Sequence, residues 1–350
     1  MDHPTGSEGA VPYARSVTVT PTPSAAMGLP LADPGLALRV STGLAKVEER
    51  LTAEMHSRLP LLTQAASHLM FAGGKRFRPL FTLVAAGVGP WPEADEVITA
   101  GTVVELVHLA TLYHDDVMDE ADLRRGTESA NARWDNSVAI LAGDFLFARA
   151  SRLVAELGPD AVRIIADTFA ELVTGQTRET IGPGPDDDPI EHHLAVLDEK
   201  TASLIDTSAR YGGMFSGASD DDIAGLRRYG RALGVAFQLS DDIIDIASDD
   251  SGKTPGTDLR EGVRTLPVLY TLADSAADPQ LVDLLAGPIA ADADVARTVE
   301  LLRVSPGLEQ ARATLASYAA SARAELAAFA PSPALDALEG LTTFVVERTR

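Results

Sequence analysis

From Leu36 onward, apolar residues recur at helical spacing through most of the chain, and one run is apolar almost all round. Between Gly101 and Tyr113 it carries Val103, Val104, Leu106, Val107, Leu109, Ala110 and Leu112, with no Gly or Pro from Thr102 to Arg125. A helix apolar on every face is a buried helix. The same periodicity predicts helices over Leu36–Ser57, Leu61–Phe71, Leu80–Val88, Glu93–Glu120, Trp134–Leu157, Asp160–Ile181, Ile190–Met214 and Asp220–Ser248. Shorter ones follow over Asp278–Leu285, Asp294–Leu302, Gly307–Ala328 and Leu335–Glu347. Strand-like alternation does not stand out. The expected fold is all-α: a single-domain helical bundle around a central cavity, spanning residues 36–350. Residues 1–35, crowded with Pro and Gly, read as a disordered tail.

Composition narrows the function classes. The net charge of -22 argues against nucleic-acid binding. With no cysteine there is neither a disulfide nor a thiolate metal site. No run of roughly 18 apolar residues suggests a membrane span, and no basic stretch followed by an apolar core suggests a secretory signal. The expectation is a cytoplasmic protein that shields any oily substrate inside its fold.

The chemistry gathers where the apolar run ends, in His114-Asp115-Asp116-Val117-Met118-Asp119. On a helix Asp115 and Asp119 share a face, roughly 5–6 Å apart at Cβ. Like charges repel there, and a helix C-terminus disfavours anions, so a compensating cation is expected. Hard divalent ions such as Mg2+ take carboxylate oxygens and keep coordination places for phosphate. Arg124 and Arg125, suited to bidentate phosphate contacts, follow at once. Phe237-Gln238-Leu239-Ser240-Asp241-Asp242-Ile243-Ile244-Asp245 repeats the arrangement at the end of a second long helix, with a Gly/Pro loop bearing Lys253 after it. In a chain with 51 acidic residues one such cluster can arise by chance. Two are harder to explain, since each costs helix stability.

A third feature is Gly73-Gly74-Lys75-Arg76-Phe77-Arg78-Pro79, three cations at a helix junction where backbone N–H groups are free. It is either a solvated turn or an anion site. His108, two turns before Asp115 on the same face, is either a satisfied core histidine or a ligand contact. Lys200-Thr201 lies within a helix, where a surface lysine is the ordinary expectation.

Taken in order, these motifs resemble the trans-polyprenyl diphosphate synthases, whose fold is of the isoprenoid synthase type. The resemblance covers residues 36–350. It implies that Asp115, Asp116 and Asp119 face Asp241, Asp242 and Asp245 and hold Mg2+, three ions in all, on an allylic diphosphate. It implies that Arg124, Lys200, Thr201, Gln238 and Lys253 contact that diphosphate. It implies further that Lys75, Arg78, His108 and Arg125 contact isopentenyl diphosphate. The reaction it implies is ionisation of the allylic C–O bond, attack of the isopentenyl diphosphate double bond on the carbocation, and loss of a proton to the released diphosphate. The family usually has a Lys after Glu-Gly in the loop beyond the second motif. Here Val263-Arg264 follows Glu261-Gly262, so Arg264 either supplies that charge or the contact is missing.

Positions one and more turns before Asp115 would line the product tail. Ala110, Thr111 and Val107 are small or medium-sized, and the resemblance to family members with small residues here implies a product of about C30 or longer, as for a quinone side chain. Phe145 and Phe147 are candidates for the floor, or core. A short-chain synthase making geranylgeranyl or farnesyl diphosphate is the nearest alternative. A class I terpene cyclase and a non-catalytic synthase subunit are further ones, and Lys75, Arg78 and two intact acid motifs argue against both. The resemblance also implies a homodimer.

Overall fold

The structure is a computed structural model and describes residues 31–247 and 256–349. Most of the tail expected over residues 1–35 lies outside that range. Its last residues are ordered by α1 (Pro34–Glu54), because the Asp33 side chain accepts from the Leu36 N–H, 2.6 Å away, and Pro34 sits at the helix start. Pro has no N–H to lose at the first helical position, and its fixed φ suits it. The same device opens α2 (Pro60–Phe71), α7 (Pro159–Ile181), α8 (Pro189–Val196), α12 (Leu266–Ala273), α13 (Pro279–Leu284), α15 (Pro306–Leu326) and α16 (Pro333–Glu347). Several of these prolines read as breaks in the sequence; they are first-turn residues. α3 (Phe77–Ala86) likewise starts three residues earlier than expected, carrying Pro79 within its first turn.

The bundle is built on α4 (Asp95–Met118), whose apolar residues are buried on all sides as far as Ala110, with Leu112 and Val117 half-buried and Met118 exposed at its end. It packs against α1, α3, α6 (Asn136–Glu156) and α9 (Ser203–Ser216). Among the described residues α4 is the one helix long and apolar enough to cross a bilayer, and it is the enclosed core helix. The second long helix, α10 (Asp220–Ala247), packs against α9 and α15. A smaller apolar cluster forms beside it from α11 (Thr257–Glu261), α12, α13 and α14 (Asp292–Arg303).

Three local features depart from the expected pattern. After α4 the chain makes a short antiparallel hairpin, β1 (Leu123–Arg124) with β2 (Thr127–Glu128), leading into α5 (Ala130–Arg133). Its turn, Arg125-Gly126, has positive φ at both residues, as a two-residue hairpin turn requires. The helix expected over Ile190–Met214 is interrupted by a π turn, Leu197–Ala202, between α8 and α9. The loop expected after Asp245 contains α11.

Candidate active site

At the end of α4, Asp119 is the capping residue, and Glu120 takes a left-handed φ of 49° that ends the helix. The hairpin then returns Arg124 over the acids. Its Nε donates to Asp116 Oδ1 at 2.5 Å, and a terminal nitrogen lies 3.9 Å from Asp119. Asp116 is fully buried, and its Oδ2 has no hydrogen-bond partner. Burial raises the Asp116 carboxyl above its ordinary range against the pull of Arg124. Asp115 is pushed up to about 6, again by burial, with Lys200 opposing and Asp119 adding to the rise. This rim is short of positive charge.

Arg125 turns the other way. It donates to the carbonyl of Leu69 at 2.8 Å and to that of Gly73. Gly74 has a φ of 133°, which favours glycine, and a Cβ there would stand 2.7 Å from Arg76 Nη1 and 2.8 Å from the Arg125 guanidinium, so both side chains lie against it. Arg76 pairs with Glu48, donates to Met70 O, and reaches Glu105 at 3.4 Å. Glu105, 1% exposed, has its carboxyl raised by burial while Arg76, Arg78 and Arg125 draw it down. Arg78 is lowered to about 10 by burial, and its Nε is buried with no acceptor. His108 sits in the same field and is held well below its ordinary range, first by burial, then by Arg78, Arg125, Arg76 and Arg124. It is neutral at pH 7. Lys75 is exposed on the same turn. The cluster presents unused donors around one buried carboxylate, which suits an anion.

The π turn presents Lys200, which pairs with Glu179 of α7, and Thr201, which is half-buried. A Cβ on Gly175 would lie 2.5 Å from Lys200 N, so α7 presses directly on the turn. On α10, Asp241 Oδ1 is 2.9 Å from Arg348 of the C-terminal helix. Asp242, 5% exposed, meets His193 Nε2 at 3.1 Å on Oδ2 and Gln238 Nε2 at 3.4 Å on Oδ1. Asp245 accepts from the backbone N–H groups of Thr257 and Asp258, at 3.2 and 3.3 Å, and so caps α11.

These pieces are joined in series. The basic turn reaches α10 through Phe77 stacked on Phe237, centroids 5.0 Å apart, and reaches the hairpin through Arg125. The helix leading into the π turn reaches the second rim through His193. Comparison with known proteins gives the same direction. The polyprenyl synthetase family model matches residues 59–302. The chain belongs to the polyprenyl synthetase family. It is 55% identical to the nonaprenyl diphosphate synthase of Mycobacterium tuberculosis over 92% of this chain and 97% of that protein. Among solved structures, it is similar to the geranylgeranyl pyrophosphate synthase of Corynebacterium glutamicum complexed with calcium and isoprenyl diphosphate. There the TM-score is 0.82 at 49% identity, covering 91% of this chain and 98% of that one. It is also similar to a decaprenyl diphosphate synthase from Rhodobacter capsulatus, with TM-score 0.80 and 33% identity over 90% and 99%.

For a family member, the placement of the sequence-predicted residues is uneven. Asp115, Asp116, Asp119 and Arg124 come together at one rim, Arg78, His108 and Arg125 at the basic cluster, and Gln238, Asp241 and Asp242 at the other rim. Asp245 is directed to α11. Lys253 lies outside the described residues. Arg264 is exposed and donates to the Ala286 carbonyl at 3.4 Å. Among the described residues no three acidic or imidazole groups converge closely enough to hold an ion unaided. The donors nevertheless fit a hard divalent cation: carboxylate oxygens, one of them buried and unpartnered, at a rim where burial has raised two carboxyls. Residues missed in the sequence are Glu105, Arg348, His193 and Gln176, whose Oε1 is buried without a partner. Only Glu105 gave a signal, an acid inside an otherwise apolar helix.

Proposed function

We propose that the chain condenses isopentenyl diphosphate with an allylic diphosphate to make an all-trans polyprenyl diphosphate, with divalent metal as cofactor. The observation that carries this reading is the charge layout: two acid rims, the first engaged by Arg124 and the second by His193 and Arg348, and a separate cationic cluster of Arg78 and Arg125 tied to the first rim by the hairpin. A cyclase needs one diphosphate site; a condensing enzyme needs two. Asp115, Asp116, Asp119, Asp241 and Asp242 would hold Mg2+ on the allylic diphosphate, while Asp245 anchors the neighbouring α11. Bound there, the ion would neutralise charge on the leaving diphosphate. Lys200, Thr201, Gln238 and Arg124 bind the same group from the sides. Arg78, Arg125, Lys75 and neutral His108 hold isopentenyl diphosphate against it, which turns the encounter of two anions into a positioned one. The allylic C–O bond breaks, a C–C bond forms to the isopentenyl double bond, and the proton lost goes to the released diphosphate.

The product is long, of about C30 or more: Val104, Val107, Ala110 and Thr111 place no aromatic ring on the α4 face below Asp115. Tyr113 is turned into α2, bonding Leu69 N and Ala65 O. Ile140 and Leu141, exposed on α6, support a homodimer. Incubating the purified protein with farnesyl diphosphate, isopentenyl diphosphate and Mg2+, then sizing products by mass spectrometry, tests both levels. Metal-dependent long polyprenyl products are expected. No incorporation overturns the reaction, and products that stop at geranylgeranyl length overturn the length.

A further inference from the structure

We propose that His193 is a positioning residue for the metal-binding carboxylate of Asp242, and that the π turn after it frees the rest of the helix to face α7 instead. This rests on the synthase reading above. Asp242 is buried, and its two oxygens are each met by a donor from a different element: Oδ2 by His193 Nε2 of α8 at 3.1 Å, Oδ1 by Gln238 Nε2 of α10 at 3.4 Å. Two donors at opposite ends fix the plane of a carboxylate that packing alone would leave free to rotate. A small hard cation demands near-ideal geometry, so the orientation of its ligand oxygens matters. Groups that orient a metal ligand from behind it are worth about 10- to 100-fold in metal affinity or activity.

The π turn completes the argument. His193 and Lys200 are seven residues apart. In an uninterrupted α-helix that spacing brings them back within about 20° of one face. Here they serve different neighbours: His193 meets Asp242 on α10, whereas Lys200 meets Glu179 on α7. An i→i+5 turn takes up one extra residue and rotates the chain after it by roughly 100°. Leu197–Ala202 supplies that rotation, and Gly175 leaves room for it, since a Cβ there would meet Glu199 Cβ at 2.8 Å as well as Lys200 N.

Three variants test this: His193→Phe, His193→Asn and His193→Gln. For each, Mn2+ binding is measured by EPR with inorganic pyrophosphate present, alongside the half-saturating Mg2+ for turnover, KM for isopentenyl diphosphate, and Tm. His193→Phe should weaken Mn2+ binding and raise the half-saturating Mg2+ by about 10- to 100-fold. KM for isopentenyl diphosphate should stay put. Gln, whose amide nitrogen reaches as far as Nε2, should restore most of the loss; the shorter Asn should not. A folded His193→Phe with wild-type Mn2+ affinity overturns the proposal. If Phe fails to fold, equal Mn2+ affinity in the Asn and Gln variants overturns it. A wild-type protein that binds Mn2+ yet transfers no isopentenyl unit would instead refute the synthase reading.

Discussion

A single histidine shows how the basic cluster is tuned. His108 lies among Arg76, Arg78, Arg124 and Arg125, and burial adds to their repulsion of a proton. Its folded-state pKa is therefore far below the unfolded value, near 6.5. Between those two values the unfolded chain binds the proton and the folded chain does not, so stability falls as pH drops below about 6.5. Above it, the histidine exerts no pH-dependent pull. Wild-type Tm should thus fall more steeply between pH 7 and pH 5 than that of His108→Gln, as followed by scanning calorimetry. Parallel curves would show that His108 is not held neutral. The same field makes functional sense: a bound diphosphate supplies the anion that these cations lack, and the unpartnered Arg78 Nε shows the demand before any ligand arrives.

At the scale of elements, the hairpin after α4 sends neighbouring arginines to different sites, Arg124 to the first acid rim and Arg125 to the basic turn. Its geometry depends on left-handed φ at Arg125 (54°) and Gly126 (75°). A Cβ on Gly126 would touch nothing within 4 Å, so Gly126→Ala should cost only the backbone term, about 1–2 kcal/mol. The expected result is a lower urea midpoint with an unchanged m-value, and weaker KM for both diphosphates. A loss of affinity for one substrate alone would mean the hairpin does not position both arginines. How far such elements were legible depends on what leaves a trace in the residues. The long helices and both acid motifs are plain, since apolar periodicity and charge at its end are compositional facts. The hairpin is too short to alternate, and its Gly126 alone hints at a turn. The π turn leaves no trace, because an extra residue in a helical run changes hydrogen bonding and not residue type. His193 and Arg348 were invisible because their partners are far away in the chain. Pro34, Pro159 and Pro189 misled, reading as interruptions where they open helices.

At the scale of the molecule, the proposed long product depends on how α4, α6 and α7 pack below the acid rim. The face of α4 leading down from Asp115 carries Thr111, Ala110 and Val107, all buried and none bulky. α6 comes close at Gly143, where a Cβ would collide with His114 and stand 3.1 Å from the Ala110 carbonyl. One turn further on, Phe147 packs tilted against Phe169 of α7 with centroids 4.2 Å apart, and His114 lies 5.9 Å away. Phe145 is engaged by Arg149, which leaves Phe147 with Phe169 as the aromatic pair between α6 and α7 beside His114. A growing apolar tail gains roughly 0.8 kcal/mol for each CH2 it buries, so it extends until a side chain stops it. Ala110→Phe puts a ring on the face below Asp115 and should shorten the product, whereas Phe147→Ala, which removes a ring packed beside His114, should lengthen it. Overpacking at the fully buried Ala110 costs about 1–3 kcal/mol, so product sizes are to be compared well below the variant's Tm. If both variants make wild-type lengths, the tail does not run between α4 and α6, and the limit must be sought on another pair of helices.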